Sequence, residues 1–223
     1  MSPTRLTGGL YAITPDWNEW PGGDTDLMNR TEALLRGGCR WLQYRDKSAR
    51  EDQRLHRARQ LRRLCTDYGA RFVVNDHVAL AYACGADGVH LGEDDHSLAL
   101  ARKTLGPSAI VGVSAYQSLE RGLAAIQAGA NYVAFGAAYP SSTKPNAKPV
   151  PRTLFQGARA HGLPVCAIGG ITLDNSPPLI AAGVCWLAVV HDVYSQPDYA
   201  DTLARARAYQ SLFETTGNDT HAF

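Results

Sequence analysis

Eight short apolar segments, separated by longer amphipathic ones, constrain the fold of this 223-residue chain more than any other feature. Each apolar segment is too short for a helix and too continuously apolar for a half-exposed strand, which is typical of a buried parallel sheet. In chain order the predicted strands are 9–14, 41–45, 72–75, 88–91, 109–114, 132–136, 165–170 and 186–190.

Helical patterns fill the intervals between these strands. The segment 51–69, for example, repeats leucines among arginines and ends at Gly69, a residue type that commonly terminates helices. We predict helices over 26–38, 51–69, 77–84, 96–105, 117–128, 152–161, 173–182 and 198–213. Eight successive β–α pairs without a long linker predict an α/β fold, a single (β/α)8 TIM barrel domain over 1–223, with 214–223 as a flexible tail. A doubly wound open sheet is the alternative, because periodicity does not establish closure.

Composition excludes several classes of protein. The formal net charge of +1 is too small for a global nucleic-acid-binding field, so an anionic ligand must be held by local clusters. No apolar run reaches the 18 or so residues of a membrane span, and the first residues lack the pattern of a secretory signal. We therefore expect a cytoplasmic protein with small-molecule partners and no nucleic-acid or membrane partner. Whether it forms a homo-oligomer is not determined by the sequence.

Neither the cysteines nor the histidines indicate a zinc site. The five cysteines are odd in number, widely spaced and without a C-x-x-C pair, and most lie in apolar surroundings. They are typical of small buried hydrophobic residues in a reducing compartment. His77, His90 and His96 do not have the spacing of a ligand set, and we interpret them as local polar or core residues.

The functional residues of such a barrel lie where its strands end. The second strand ends in "QYRDK", in which Gln43, Arg45 and Lys47 alternate and therefore share one side of the chain. Two cations and an amide on one side suit a polyanion. The alternative is an exposed strand edge in which Asp46 pairs with Arg45 or Lys47.

Acidic residues follow the third and fourth strands. Asp76 comes directly after buried valines in "VVNDH", where it could also cap the next helix. The fourth strand ends in "VHLGEDDH", whose three acids at 93–95 are more than a helix cap requires. Acids on two neighbouring strands beside a cationic strand predict a hard cation with oxygen ligands, and Mg²⁺ fits best.

The later strand ends supply further polar groups. Ser114 ends the fifth strand, although a lone serine is also a common turn or cap residue. The stretch "YPSSTKPNAKP" after the sixth strand carries Lys144, and Gly169 and Gly170 after the seventh leave backbone N–H groups unobstructed. We therefore predict a Mg²⁺-diphosphate region with Arg45, Lys47 and Lys144, and a monophosphate region made of backbone amides. Covalent catalysis is not expected, because no adjacent Ser-His-Asp or Cys-His set is present.

Five motifs follow one another along the chain: "QYRDK", "VNDHVALAYACGADGVHLGEDD", "VGVSAY", "YVAFGAAYPSSTKP" and "CAIGGITLDN". In these motifs and their order, the chain resembles the thiamine-phosphate synthase family from about residue 8 to about 193. The resemblance implies a (β/α)8 barrel that joins hydroxymethylpyrimidine diphosphate to hydroxyethylthiazole phosphate with Mg²⁺. The products are thiamine phosphate and diphosphate. A tautomerase-like or regulatory relative that binds a thiazole phosphate is the alternative.

The resemblance also assigns roles to residues. It implies pyrimidine-diphosphate contacts at Gln43, Arg45, Lys47 and Asn75, and Mg²⁺ ligands at Asp76 and Asp95. Ser114 and Lys144 match residues that meet the diphosphate, so the expected catalytic residues are Arg45, Lys47, Ser114 and Lys144. Ser141 and Thr143 match hydroxyls near the thiazole phosphate, and Gly170, Val190 and His191 match its backbone cradle.

Three positions depart from the family pattern. Ser141 replaces a frequent threonine and keeps the hydroxyl. Tyr116 stands where a histidine is common, which counts against the related tautomerase. His191 stands where the family commonly has a small serine. Phosphate binding through the backbone N–H tolerates this change, but the family pattern assigns no role to a histidine side chain at this position.

Overall fold

The computed structural model describes residues 8–48, 50–92, 96–140 and 149–215. Its strands are β1 (Gly9–Ile13), β2 (Trp41–Tyr44), β3 (Arg71–Asn75), β4 (Gly88–Leu91), β5 (Ile110–Tyr116), β6 (Tyr132–Gly136), β7 (Val165–Ile168) and β8 (Trp186–Val189). Each strand pairs in parallel with the next, and β1 also pairs with β8. The sheet is a closed barrel, which confirms the predicted fold and rules out the doubly wound alternative.

Helices follow the strands and form an outer layer. They are α1 (Gly23–Arg36), α2 (Glu51–Asp67), α3 (Val78–Cys84), α4 (His96–Leu105), α5 (Leu119–Gln127), α6 (Arg152–Ala160), α7 (Pro177–Ala181), α8 (His191–Tyr194) and α9 (Tyr199–Thr215). A 3₁₀ turn, Trp17–Glu19, follows β1. None of the helices in the described part of the chain has both the length and the apolar character needed to span a membrane.

The structure corrects several predicted boundaries. β7 ends at Ile168 rather than at 170, because Gly169 and Gly170 have positive φ angles and turn the chain away from the barrel. The predicted helix at 173–182 begins only at Pro177, after a turn in which the Thr172 N–H donates to Asn175 Oδ1. Helix α8 was not predicted. Helix α9 runs through Thr215, two residues into the predicted tail, and 216–223 lie outside the described residues.

Two apolar regions hold the barrel together. The larger lies between the barrel and the helices, and the smaller fills the barrel interior. Four rings dominate the interior, namely Tyr11, Trp41, Tyr132 and Trp186, with neighbouring ring centres 5.2–6.0 Å apart. They fill the interior below the carboxyl ends of the strands, which leaves the mouth above them as the place for a ligand within the barrel.

Candidate active site at the barrel mouth

The predicted site residues that the structure describes gather at one end of the barrel. Because all the strands are parallel, their carboxyl ends meet at the same mouth. The residues at the ends of β2, β3, β5, β7 and β8 are Gln43, Arg45, Lys47, Asn75, Asp76, Ser114, Gly170, Val190 and His191. Four other predicted site residues lie outside the described residues: Asp95, Ser141, Thr143 and Lys144.

The alternation predicted for the segment after β2 is present. Gln43 is buried inside the barrel, whereas Tyr44 packs in the layer between barrel and helices. Asp46 pairs with neither Arg45 nor Lys47; instead its Oδ2 lies 2.9 Å from Arg57 Nη1. The alternative of a local ion pair at an exposed strand edge is therefore wrong.

Asp46 anchors this loop from below. Its carboxylate accepts hydrogen bonds from the Tyr44 hydroxyl at 2.7 Å and from the Ser48 N–H at 2.8 Å. Burial raises the pKa of Asp46, but the hydrogen bonds from Ser48 and Tyr44 and the charge of Arg57 outweigh it and hold that pKa below its ordinary value. The Arg57 guanidinium carbon also lies 3.5 Å from the centre of the Trp17 ring. A buried, ionised Asp46 thus ties the loop to α2.

Arg45 is held in place by residues that follow β1. Its Nη1 lies 3.1 Å from Asp16 Oδ2, and its backbone N–H donates to Thr14 Oγ1 at 2.9 Å. The Asp16 side chain is only 7% exposed and also accepts from the Asn18 N–H, so its position is well determined. The Arg45 side chain is 32% exposed. Its remaining donors can therefore reach a ligand at the mouth.

Asp76 does not cap the helix that follows it. Helix α3 begins at Val78 with His77 as its N-cap residue, and the Asp76 carboxylate accepts a hydrogen bond from Asn75 Nδ2 at 2.7 Å. The φ angle of Asp76 is 59°, a left-handed conformation that costs a non-glycine residue on the order of 1 kcal/mol. The helix-cap interpretation is therefore wrong. The strained backbone holds an exposed carboxylate at the mouth.

Gly92 lies close to the Asp76 carboxylate. A β-carbon added to Gly92 would lie 3.5 Å from Asp76 Oδ1 and 4.0 Å from the Tyr116 hydroxyl. Gly92 immediately precedes the acidic segment 93–95, which lies outside the described residues. Among the described residues alone, no group of three or more His, Cys, Asp or Glu side chains is arranged to hold a metal.

A continuous chain of five hydrogen-bonded side chains runs beneath the mouth. Gln43 Nε2 donates to the Tyr11 hydroxyl at 3.0 Å, and the Tyr11 and Tyr132 hydroxyls are 2.9 Å apart. The Tyr132 hydroxyl is 3.0 Å from His90 Nδ1, and His90 Nε2 is 3.0 Å from Ser114 Oγ. We call these five residues the interior chain.

Burial sets the protonation of the interior chain. Desolvation lowers the pKa of His90 to about 4, with a smaller opposing effect from the Asp76 charge, so the imidazole is neutral near pH 7. Desolvation also raises the pKa of Tyr11 and of Tyr132 well above the ordinary value, which keeps both hydroxyls protonated. All five members are therefore neutral side chains at neutral pH.

The loop after β7 is packed tightly against the loop after β6. A β-carbon on Gly170 would lie 2.4 Å from the Pro140 carbonyl oxygen, and the φ angle of Gly170 is 63°. Only glycine combines this conformation with so close an approach. Asn175 Nδ2 donates to the Gly170 carbonyl at 2.9 Å, and the Tyr139 hydroxyl donates to the Asn175 carbonyl at 2.7 Å. The loop is thus held by two neighbours.

Asp192 fixes the start of α8, which follows β8. Its Oδ2 accepts from the Tyr209 hydroxyl at 2.7 Å and from the Leu173 N–H at 3.1 Å. It therefore ties α8 to α9 and to the loop after β7. The neighbouring His191 ring has its Nδ1 2.8 Å from Ser195 Oγ of the same segment. The His191 side chain is thus engaged locally.

Sequence reasoning missed the residues that support the site. Asp16, Asp46 and Asp192 position loops through contacts with other segments, which no short motif reveals, and Asn175 positions its own loop through Gly170. His90 was interpreted as a local polar or core residue, and it is buried as that interpretation requires. Its position in "GVHL", with outward-facing Val89 and Leu91 on either side, is the signal that could have placed it inside the barrel.

Comparison with known proteins agrees with this geometry. Residues 10–193 match the family model described as thiamine monophosphate synthase. The chain is 53% identical over 207 residues to a thiamine-phosphate synthase of Thioalkalivibrio sulfidiphilus, covering 92% of this chain and 95% of the relative. It is 49% identical to one from Aromatoleum aromaticum, covering 96% of this chain and 100% of the relative. A solved thiamine phosphate pyrophosphorylase from Pyrococcus furiosus is 30% identical, with a TM-score of 0.81 and coverage of 94% and 97% of the two chains.

Proposed function

Because the chain belongs to the thiamine monophosphate synthase family, whose members are transferases, we propose that its barrel mouth joins a pyrimidine diphosphate to a thiazole phosphate. The products are thiamine phosphate and diphosphate. The observation that carries the proposal is the convergence of cations from β2 with a carboxylate from β3 on one mouth. A barrel that only bound one monophosphate would not need this combination.

We assign the diphosphate to the β2 side of the mouth. Arg45 supports this assignment because Asp16 orients its guanidinium and leaves part of it exposed, and the exposed Lys47 follows two residues later. Ser114 at the end of β5 contributes a hydroxyl, and Lys144 would add a third cation from the loop after β6. Gln43 and Asn75, next to these groups, are the proposed contacts of the pyrimidine.

The donor set at β3 and β4 suits Mg²⁺. Asp76 presents an exposed carboxylate close to Gly92, and we propose Asp76 and Asp95 as the protein ligands. When bound, Mg²⁺ would neutralise charge on the diphosphate oxygens. The Asn75 side-chain N–H holds the Asp76 carboxylate at 2.7 Å and so orients it for this role.

We assign the thiazole phosphate to the opposite side of the mouth. Gly170 has no side chain that could cover the backbone of the loop after β7. Val190 and His191 lead into α8, and the first N–H groups of a helix have no partner within it. Backbone amides of these three residues are the proposed cradle, supplemented by the Ser141 and Thr143 hydroxyls. The engagement of the His191 ring by Ser195 supports a backbone role rather than a side-chain role for this residue.

The chemistry proposed requires charge stabilisation and alignment. The bond between the pyrimidine methylene carbon and the diphosphate oxygen breaks, and the electron pair leaves with diphosphate. The thiazole nitrogen then forms the new bond to that carbon with its lone pair. Arg45, Lys47 and Lys144 would stabilise the negative charge that develops on the leaving group, and Ser114 would donate a hydrogen bond to it. The two phosphate regions would hold the reacting atoms in line.

The proposed setting is the cytoplasm, with phosphorylated small molecules as the partners. All five cysteines are free thiols, as a reducing compartment favours. The net charge of +1 supports local anion binding rather than nucleic-acid binding.

A two-substrate assay tests the proposed function. The purified chain, incubated with both substrates and Mg²⁺, should form thiamine phosphate and diphosphate in equal amounts, and neither substrate alone should give thiamine phosphate. Lys47→Met should lower kcat/KM for the pyrimidine diphosphate by about tenfold, the scale of one charged hydrogen bond. Lys103→Met, which removes an exposed lysine of α4, is the matched control and should leave turnover unchanged. Absence of both products at every Mg²⁺ concentration would contradict the proposal.

A further inference from the structure

The interior chain joins Gln43 and Ser114, two proposed substrate-binding residues on opposite sides of the mouth. Tyr11 is level with Trp41 in the strand register, one interior layer below Gln43, and Tyr132 is level with Gly112, one layer below Ser114. The hydrogen bonds therefore descend from Gln43 to the two tyrosines and rise through His90 to Ser114. Gln43, Tyr11, Tyr132 and His90 are each buried.

The orientation of the Gln43 amide sets the direction of the hydrogen bonds along the interior chain. Gln43 Nε2 donates to the Tyr11 hydroxyl, so Tyr11 must pass its own proton to Tyr132, the other hydroxyl within reach. Tyr132 then donates to His90 Nδ1, and because a ring nitrogen that accepts carries no hydrogen, the ring hydrogen is on Nε2, facing Ser114 Oγ. The reverse direction would need the Gln43 amide turned over, so that Oε1 accepts from the Tyr11 hydroxyl in place of the Nε2 donor.

We propose that His90 is a positioning residue whose Nε2–H donates to Ser114 Oγ and so keeps the Ser114 hydroxyl proton free to donate to an anionic ligand at the mouth. The same direction turns Gln43 Oε1 away from Tyr11 and makes it an acceptor for an amino group of the ligand. The identification of the anion as the diphosphate rests on the proposed function. The direction of the interior chain does not.

The proposed direction differs from that of a serine nucleophile with a histidine base. In that arrangement the imidazole accepts the serine proton and a carboxylate orients its other nitrogen. Here a tyrosine hydroxyl faces Nδ1, and the ring is a donor towards the serine. Ser114 is therefore a hydrogen-bond donor for the ligand and not an attacking group.

The consequence is largest when negative charge develops on the leaving group. If the Ser114 hydroxyl donates its hydrogen bond to the leaving group, it stabilises this negative charge. If it donated to His90 instead, its oxygen lone pairs would face the negative charge. Loss of one hydrogen bond to a charged group corresponds to a decrease of about 10- to 100-fold in rate. The loss should fall on kcat, with KM for the thiazole phosphate unchanged.

Nitrogen NMR of the labelled wild-type protein measures the direction without any substrate. The His90 signals, assigned by their absence from His90→Phe, should show hydrogen on Nε2 and none on Nδ1. Gln43→Glu offers a sharper test in mildly alkaline buffer, because an ionised carboxylate can only accept. Every hydrogen in the chain should then reverse, and the His90 hydrogen should move to Nδ1, three hydrogen bonds from the substitution. Hydrogen on Nδ1 in the wild type, or no change in Gln43→Glu, would overturn the proposal.

Kinetics measure the effect on the reaction. His90→Phe should lower kcat about 10- to 100-fold, and His90→Gln, whose amide N–H can reach Ser114, should recover part of the rate. If His90→Phe does not fold, Tyr132→Phe removes the hydroxyl that fixes the His90 tautomer and should lower kcat by several-fold. Thr31→Val, which removes a buried hydroxyl bonded to Tyr194 in the helix layer, is the matched control and should keep kcat. Wild-type kcat in folded His90→Phe or Tyr132→Phe would contradict the positioning role.

These outcomes separate the inference from the proposed function. A wild-type protein without turnover contradicts the proposed function, and the NMR result still decides the direction of the interior chain. A wild-type protein with turnover and a His90 hydrogen on Nδ1 contradicts the inference alone.

Discussion

Asp16 Oδ2 lies 3.1 Å from Arg45 Nη1, so a buried carboxylate after β1 orients the cation that follows β2. The two residues are 29 positions apart in the chain and meet only because β1 and β2 are neighbours in the barrel. The cation is thereby placed before any ligand arrives, which reduces the ordering cost of binding.

We predict that Asp16→Asn weakens binding of the pyrimidine diphosphate. The amide keeps an acceptor for the Asn18 N–H but loses the charge that holds Arg45, so KM should rise by several-fold while the Mg²⁺ requirement persists. Steady-state kinetics with varied pyrimidine diphosphate measure the change. Asp26→Asn, which disrupts an ion pair with Arg30 on the outer helix α1, should leave KM unchanged. Equal KM values for Asp16→Asn and the wild type would show that Arg45 does not depend on Asp16.

The buried Asp46 predicts a specific pH dependence of stability. Its pKa in the folded state is below the value of about 3.9 expected for an unfolded chain. At a pH between the folded and the unfolded pKa of Asp46, the unfolded state therefore binds more protons than the folded state. The contribution of the ionised Asp46 to the unfolding free energy is complete above about pH 4 and is lost as the pH falls through the folded pKa. Denaturant unfolding of the wild type across this acidic range should show the decrease.

Asp46→Asn should remove this part of the pH dependence and lower stability at neutral pH. The buried Arg57 charge then keeps, among the described residues, Asp24 as its one ion-pair partner. Asp52→Asn alters an exposed ion pair with Arg50 and serves as the control. It should change the unfolding free energy by less than about 1 kcal/mol. Parallel acid profiles for the wild type and Asp46→Asn would argue against an ionised Asp46 under the loop.

Gly112 provides the space for the Tyr132 ring. A β-carbon at this position would lie 2.1 Å from Tyr132 Cζ, so Gly112→Ala must displace the ring and its hydroxyl. We predict a loss of about 1–3 kcal/mol of unfolding free energy and a decrease in kcat through the disturbed interior chain. Gly157→Ala on α6 is the control, because its β-carbon would meet only Leu119 at 3.7 Å. It should increase stability by roughly 0.5–1 kcal/mol. Both variants can be compared by urea unfolding and steady-state turnover.

The barrel could be predicted from the sequence because its signal is local and repeated. Each strand is a continuous apolar run and each long helix has its own periodicity, as at 51–69. The errors occurred where the chain departs from both patterns. The start of α7 depends on the Thr172–Asn175 turn and on Pro177, and α8 is a four-residue helix with no periodicity to detect.

The site was predictable to the extent that strand ends identify it. Alternation correctly separated Gln43, inside the barrel, from Tyr44, in the outer layer, but it could not show that Asp46 pairs with Arg57. His90 and Ser114 lie on adjacent strands and are 24 residues apart in sequence. Their hydrogen bond depends on the register of β4 with β5, which no composition or motif specifies.

The Mg²⁺ dependence of Asp76→Ala is the most direct test of the central claim that the mouth of this barrel is a metal-dependent diphosphate site. Turnover should be measured against Mg²⁺ concentration, with the unfolding free energy determined on the same samples. We predict a folded variant, because the substitution removes no helix cap, with turnover that Mg²⁺ no longer restores. Wild-type turnover with an unchanged Mg²⁺ response would contradict the claim.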